Sequence, residues 1–261
     1  MISLKKISFI LNISLFLLFT NILLASTIKV GVVSEFDNDL VELVKDQNQD
    51  LKIEIIKYKN IKNSNDALVN KKIDINLFQT LDYLTTYNSE NDSSLKVVAK
   101  EYVEPIGIYS KHYNSIKSIE VGALVAIPRD PSNNSRSLKF LSEIGLLEFP
   151  PNKDTVTKND IVENYFDIEI VEAESSKLPR YLEFADYVVL SGEAAFNTGY
   201  IPKYDSLFLE TVNPKYTSVV ATRKEDVENT NIVKFVKKIK SKETELFILK
   251  NYEDNIYFIE N

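Results

Sequence analysis

The sequence predicts an α/β protein made of two successive runs of alternating strands and helices. Three observations lead there. Short β-type apolar runs alternate with stretches whose apolar residues recur at helical spacing; the alternation occurs twice, before and after Pro105; and no low-complexity linker interrupts it. Taken in order, Ile28–Val33 reads as a first strand, and Asp37 caps a helix carrying Leu40, Val41 and Val44 on one face. Leu51–Tyr58 is a second strand, Ser64–Val69 a short helix, Ile73–Ile75 a third strand, Phe78–Tyr87 a helix and Leu95–Ala99 a strand again. After Pro105 come strands at Gly107–Tyr109 and Leu124–Ile127, a helix from about Ser132 to Ile144 closed by Gly145, and strands at Ile168–Val171 and Tyr187–Leu190. A strand at Thr217–Ala221 leads into a helix at Asn231–Lys240, where Ile232, Val233, Val236 and Ile239 share a face. Phe149–Lys158, with Pro150 and Pro151, is the loop-rich region, and the alternation favours mostly parallel sheets.

Composition narrows the chemistry. The 261 residues contain no Cys and one His, so disulfides, thiolate zinc or iron–sulfur sites, a Cys nucleophile and a two-His metal site are excluded. A formal charge of -7 argues against a nucleic-acid partner, whose binding needs a basic footprint. The six glycines fit neither a dinucleotide fingerprint nor a P-loop. The lone His112 reads as an exposed turn residue, and Ser191-Gly192-Glu193 lacks a full nucleophile-elbow pattern and any His to serve it. No metal, cofactor or catalytic residue is expected.

The N-terminus differs from the rest. Lys5 and Lys6 precede an uncharged apolar stretch ending in Leu23-Leu24-Ala25-Ser26, the layout of a signal peptide cut after Ala25 or Ser26. Residues 1–26 are read as that signal and the remainder as an acidic, exported protein; an uncleaved anchor is the competing reading.

Two segments carry recognition chemistry. In Pro128-Arg129-Asp130-Pro131-Ser132-Asn133-Asn134-Ser135-Arg136, an N-cap and an N1 proline follow a strand directly. Free backbone N–H groups and two arginines then stand at a strand's carboxyl end, suited to a carboxylate; a capped helix with surface arginines fits the same residues. In Asp74–Tyr83, Phe78 and Tyr83 form either an apolar cleft wall or part of the core.

These segments, together with Ile28–Val32, Val103–Ile119, Glu143–Phe149, Ile170–Leu190 and Ala221–Asp226, are collinear with the NlpA-type methionine-binding family, which the chain resembles over essentially its whole mature length. Members of that family are substrate-binding components of methionine ABC importers. The resemblance implies a two-lobed type II periplasmic-binding-protein fold with a ligand cleft between lobes, one lobe being residues 27–104 plus 211–261 and the other 105–210. It implies an amino acid, methionine first, or a short peptide as ligand, a membrane permease as partner and a monomeric protein; an exported adhesin or sensor on the same fold is the alternative. By position it assigns Arg136 to the ligand α-carboxylate, Asn133 as its polar companion, Phe78 and Tyr83 to the methionine side chain, and Glu104 to the hinge side of the cleft. It adds Gln79, Thr80, Ser191, Tyr216 and Ser218 to the ligand-facing set. Thr80 stands where many relatives have His, Ser191 and Ser218 where they have Asn, and Arg129 where Asn is usual. With no Cys, the lipid anchor of many relatives is also missing.

Overall fold

The computed structural model describes residues 27–48, 50–252 and 256–258, with the backbone alone at 78 and 101. The signal segment 1–26 lies outside the described residues. The elements run β1 (Ile28–Val32), α1 (Glu35–Asp46), β2 (Ile53–Lys57), α2 (Ile61–Val69), β3 (Ile75–Thr80), α3 (Leu81–Glu90) and β4 (Lys96–Val103). Then follow β5 (Ile106–Tyr109), β6 (Leu124–Pro128), α4 (Pro131–Glu143), β7 (Leu147–Glu148), β8 (Glu163–Asn164), β9 (Glu169–Ala173), α5 (Leu178–Tyr181), β10 (Tyr187–Ser191), α6 (Gly192–Phe196), α7 (Pro202–Asp205) and β11 (Phe208–Leu209). The chain closes with β12 (Thr217–Thr222), α8 (Thr230–Ile239), α9 (Lys242–Tyr252) and β13 (Tyr257–Phe258).

Two sheets organise the molecule. One has the order β13-β4-β12-β3-β1-β2, the other β11-β5-β10-β6-β9, and β7 and β8 form a small hairpin beside the loop-rich region. The expectation of mostly parallel sheets is not met: two of the five pairings in the six-stranded sheet and two of the four in the five-stranded one are parallel. β1 pairs in parallel with β2 and β3, and β6 with β9 and β10, whereas β12 runs antiparallel to β3 and β4, and β5 antiparallel to β10 and β11. Only β–α–β crossovers force parallel pairing; β5 follows β4 through Glu104 and Pro105, and β12 enters its sheet from the far lobe, so neither is bound by that rule.

Both sheets are covered on both faces, which explains their nearly continuous apolar strands. Val30 and Val32 pack with Val41 and Val44 of α1 and with Phe235 of α8, while Ile73, Val219 and Ala221 on the other side meet Leu68, Leu84 and Tyr87. In the second sheet Ile108, Val125, Ile127 and Val189 pack on Leu138 and Leu141 of α4, and Tyr109, Ala126, Val188 and Leu190 on Leu178, Leu182 and Ala195.

Local chemistry sets the boundaries. The cap of α1 is Ser34 rather than Asp37: Ser34 Oγ accepts the Asp37 N–H at 3.0 Å, and the Asp37 carboxylate accepts the Ser34 and Val33 N–H groups, a reciprocal capping box. The larger departure is at Phe78–Thr80, read from the sequence as the start of a helix and found as the end of β3. There the amides of Asn65, Asn76 and Gln79 bond one another inside the protein: Asn76 Nδ2 to Asn65 Oδ1 at 2.5 Å, Gln79 Nε2 to Asn65 Oδ1 at 2.8 Å, and Asn65 Nδ2 to Gln79 Oε1 at 2.8 Å. Pairing with β12 and this buried network hold the strand extended until Thr80, whose hydroxyl accepts the Tyr83 N–H at 3.1 Å and starts α3. At its other end α4 is closed as expected by Gly145, in the left-handed region at φ +80.

Gly31 in β1 has no room for a side chain, since a Cβ there meets Ile73 Cδ1 at 2.5 Å and Ser64 Oγ at 2.8 Å. Gly31→Ala therefore crowds β1 against Ser64 of α2 and against Ile73, which precedes β3, and chemical denaturation is expected to register a loss of about 1–3 kcal/mol; an unchanged midpoint contradicts that packing.

Candidate functional site

The site lies where the carboxyl ends of strands from both sheets meet, and it is best built outward from Arg136. This residue sits on α4, 4% exposed, and reaches the segments by which the chain passes between sheets. Its Nε donates to Glu210 Oε1 at 3.0 Å and its Nη2 to Glu210 Oε2 at 2.5 Å. Nη2 also donates to the Glu104 carbonyl at 2.9 Å, and the guanidinium stands 4.0 Å over the Tyr216 ring. Glu210 in turn accepts the Ile106 N–H at 3.3 Å, and its own N–H bonds the Ile106 carbonyl. Three of the five guanidinium N–H groups are thereby committed; the two on Nη1 make no hydrogen bond among the described residues.

Around this edge three helices begin at strand ends. Thr80 starts α3, Asp130 starts α4 by accepting the Asn133 N–H at 3.0 Å, and Ser191 starts α6 by accepting the Ala194 N–H at 3.2 Å. Ser218 is the register partner of Thr80 across β3 and β12. Ser132 Oγ on α4 donates to Asp82 Oδ2 on α3 at 2.7 Å, and Lys215 pairs with Asp82 at 3.0 Å, so residues of both sheets' layers close over the junction.

Beside Arg136, carboxylates gather. The Glu193 N–H donates to the Glu104 carboxylate, Glu193 bonds Ser34, and Asp37 lies close enough to act on both acids. Phe36, Tyr102, Glu104, Glu193, Tyr252 and Ile256 surround a void of about 20 Å³, room for one water. Burial pushes Glu104 up to about 7, with Asp37 adding to the rise and the Glu193 N–H and Arg136 opposing it. Burial likewise pushes Glu193 up to about 8, helped by the charges of Glu104 and Asp37. Tyr83 is raised far above its usual range by burial, then by the charge of Asp130 across the junction.

The structure thus brings together Thr80, Tyr83, Glu104, Arg136, Ser191, Tyr216 and Ser218 from the sequence-based set. Gln79 is 2% exposed, with its amide taken up by Asn65 and Asn76, so it braces β3 from within. Asn133 is engaged at the α4 cap with Asp130, while its neighbour Asn134 is the one turned inward, donating to the Pro128 carbonyl at 2.9 Å. The side chain of Phe78 is outside the described residues. Arg129 is exposed and donates to the Glu172 carbonyl at 3.2 Å, so a single arginine serves the junction instead of two. His112 is exposed in the turn after β5, as expected. An open depression of about 370 Å³ beside the end of β2 and α2, walled by Lys57, Lys59 and Lys72, includes none of these residues. Glu210 and Glu193 escaped sequence reading, and Asp37 was marked only as a helix cap, because in a chain of 38 acids nothing local shows which are drawn inward to this cluster.

Comparison with known proteins bears on the family and the fold. Residues 28–258 match the model of the NlpA lipoprotein family. The D-methionine-binding lipoprotein MetQ of Salmonella typhimurium is 34% identical over 225 residues, covering 83% of this chain and 82% of that protein. Among solved structures, a nutrient-binding protein from Burkholderia cenocepacia bound to methionine superposes with a TM-score of 0.85 at 29% identity, over 89% of this chain and 100% of that one. A periplasmic substrate-binding protein of an ABC transporter from Coxiella burnetii gives 0.84 at 28%, over 89% and 100%.

The two raised acids make stability depend on pH. A carboxyl whose folded pKa exceeds its unfolded value binds more protons in the native state between the two, so stability is fully present below about 4.5 and falls as pH rises through 7 to 8. Thermal unfolding at constant ionic strength is expected to show a melting temperature that drops between pH 5 and pH 9, and Glu193→Gln is expected to flatten that slope; an equal slope in the variant assigns it to other groups.

Proposed function

The chain belongs to the NlpA lipoprotein family, and from that premise we propose that it is the extracytoplasmic substrate-binding component of an ABC importer, taking methionine or a closely related amino acid into the cleft between its lobes. The observation that carries this reading is the unspent Nη1 edge of Arg136 at the facing strand ends. A ligand α-carboxylate lying in the guanidinium plane accepts a charge-assisted hydrogen bond from Nη1, whose two N–H groups diverge and are the ones that Glu210 and the Glu104 carbonyl leave unused. The hydroxyls of Thr80, Ser191 and Ser218 supply short polar contacts around it, while Tyr83 lines the way for the ligand side chain. Shorter than the Asn of relatives, Ser191 and Ser218 leave space that water fills.

We assign residues 27–104 with 211–261 to one lobe and 105–210 to the other. In support, every strand of the six-stranded sheet comes from the first set and every strand of the five-stranded sheet from the second. Ser132 on Asp82, Glu193 on Ser34 and Phe196 against Tyr252 at 5.7 Å then bridge the lobes, the arrangement of a closed form that a permease recognises. Residues 1–26 direct export, and the mature protein works as a monomer without catalysis. Among the described residues no helix is long and apolar enough to cross a membrane, and without Cys the chain offers no thiol for lipidation.

Titration of residues 27–261 with L- and D-methionine tests the reading: a ligand at 100 times its dissociation constant stabilises the fold by about 2.7 kcal/mol, visible as a rise in melting temperature. No rise with either enantiomer or with other amino acids counts against it. Arg136→Lys keeps the charge beside Glu210 but loses the fork, and is expected to weaken binding about tenfold or more while the protein still folds. Arg136→Ala strands Glu210 and is expected to cost about 3–5 kcal/mol of stability in addition.

A further inference from the structure

Arg136 has more hydrogen-bond partners inside the protein than a residue waiting for a ligand requires. Glu210 occupies its Nε and one Nη2 N–H side-on, the Glu104 carbonyl takes the other Nη2 N–H, and Tyr216 packs on its face at 4.0 Å. An arginine side chain has four rotatable bonds and would otherwise sample many orientations; here the guanidinium plane, its rotation and the edge it offers are all fixed. Glu210 is itself held, since its carboxylate accepts the Ile106 N–H and its backbone exchanges a second bond with Ile106. Glu210 is 7% exposed, and nothing but Arg136 and the Ile106 N–H bonds its carboxylate among the described residues.

We infer that Glu210 is a positioning residue for ligand recognition: it fixes Arg136 so that the Nη1 edge alone faces the cleft, and it remains bound to Arg136 when the ligand carboxylate arrives. The inference rests on the assignment of Arg136 to that carboxylate. It excludes a second arrangement, in which Glu210 fills the carboxylate's place in the empty protein and is displaced by ligand. The two are separable because in the first the ligand and Glu210 use different nitrogens of one guanidinium. Two acceptors on opposite edges of one planar cation also select geometry in addition to charge. With the arginine's charge already balanced by Glu210, a free carboxylate is recognised by the direction in which Nη1 donates, and small displacements of the guanidinium degrade that recognition.

Glu210→Asp tests this, because it keeps the charge and withdraws the carboxylate by one methylene. Affinities for methionine and for methioninamide, which lacks the carboxylate, are measured by calorimetry on residues 27–261. The expected result is a loss of about tenfold or more for methionine, with the affinity for the amide unchanged. Equal losses for both ligands reduce Glu210 to a structural role and overturn the inference, as does an unchanged affinity for both. A wild-type protein that binds no amino acid removes the assignment of Arg136 itself and the inference with it, an outcome distinct from a binding wild type with an indifferent variant. The wild-type protein supplies an independent measurement that needs no variant to fold: in ¹⁵N spectra of the arginine side chain, methionine is expected to shift the Nη1 signals of Arg136 and leave Nε and Nη2 in place. Shifts at Nε and Nη2 as large as at Nη1 report displacement of Glu210 and overturn the proposal.

Discussion

The ion pair between Arg136 and Glu210 is the interaction on which the arrangement of the two lobes turns. Both chain crossings between the sheets end in it: Glu104 contributes its carbonyl at the first crossing, Glu210 its carboxylate at the second, and Ile106 its N–H to that carboxylate. A buried ion pair is a poor source of net stability, since desolvation offsets most of its attraction, but losing one partner is costly. Its value here is in geometry. A guanidinium with its fork, one carbonyl and a ring face all engaged can occupy one orientation, and two backbone segments far apart in sequence are registered to it.

The carboxylates beside this pair impose an opposite tendency. Asp37 belongs to α1, Glu104 to the crossing and Glu193 to α6, so bringing the lobes together brings like charges together in a partly dry space. A bound proton relieves that repulsion, and the positive end of a zwitterionic amino acid has the same sign.

Much of the fold was legible in the sequence, for physical reasons that also explain the failures. Apolar runs such as Ile28–Val32 and Tyr187–Ser191 are buried on both faces and stand out against any background, and Asp130-Pro131 announces the start of α4 from neighbouring residues alone. Phe78–Thr80 was misread because its extended form depends on Asn65, which lies eleven positions before Asn76 and fourteen before Gln79, and on β12, nearly 140 positions on; no local pattern encodes either. The resemblance to a family carried Arg136, Tyr216, Ser191 and Ser218 to one place in space, which periodicity could not have done. It missed Glu210 and Glu193 because they act on other residues of the protein, and such a role shows only once the chain is folded.

The buried amides of Asn65, Asn76 and Gln79 carry a consequence for how the chain reaches this structure. Each has both donors and acceptors, and the three satisfy one another only when β3 is aligned with α2 as found. Sliding β3 by one residue would turn Leu77, now 2% exposed in the core, toward the amide of Asn65 and leave polar groups buried without partners. The network therefore favours the observed register over one slipped by a residue. Because Thr80 closes the same strand and starts α3, a one-residue error would shift that threonine by about 3.3 Å, the rise of one strand residue, so fidelity at three uncharged side chains deep inside the protein fixes where α3 begins.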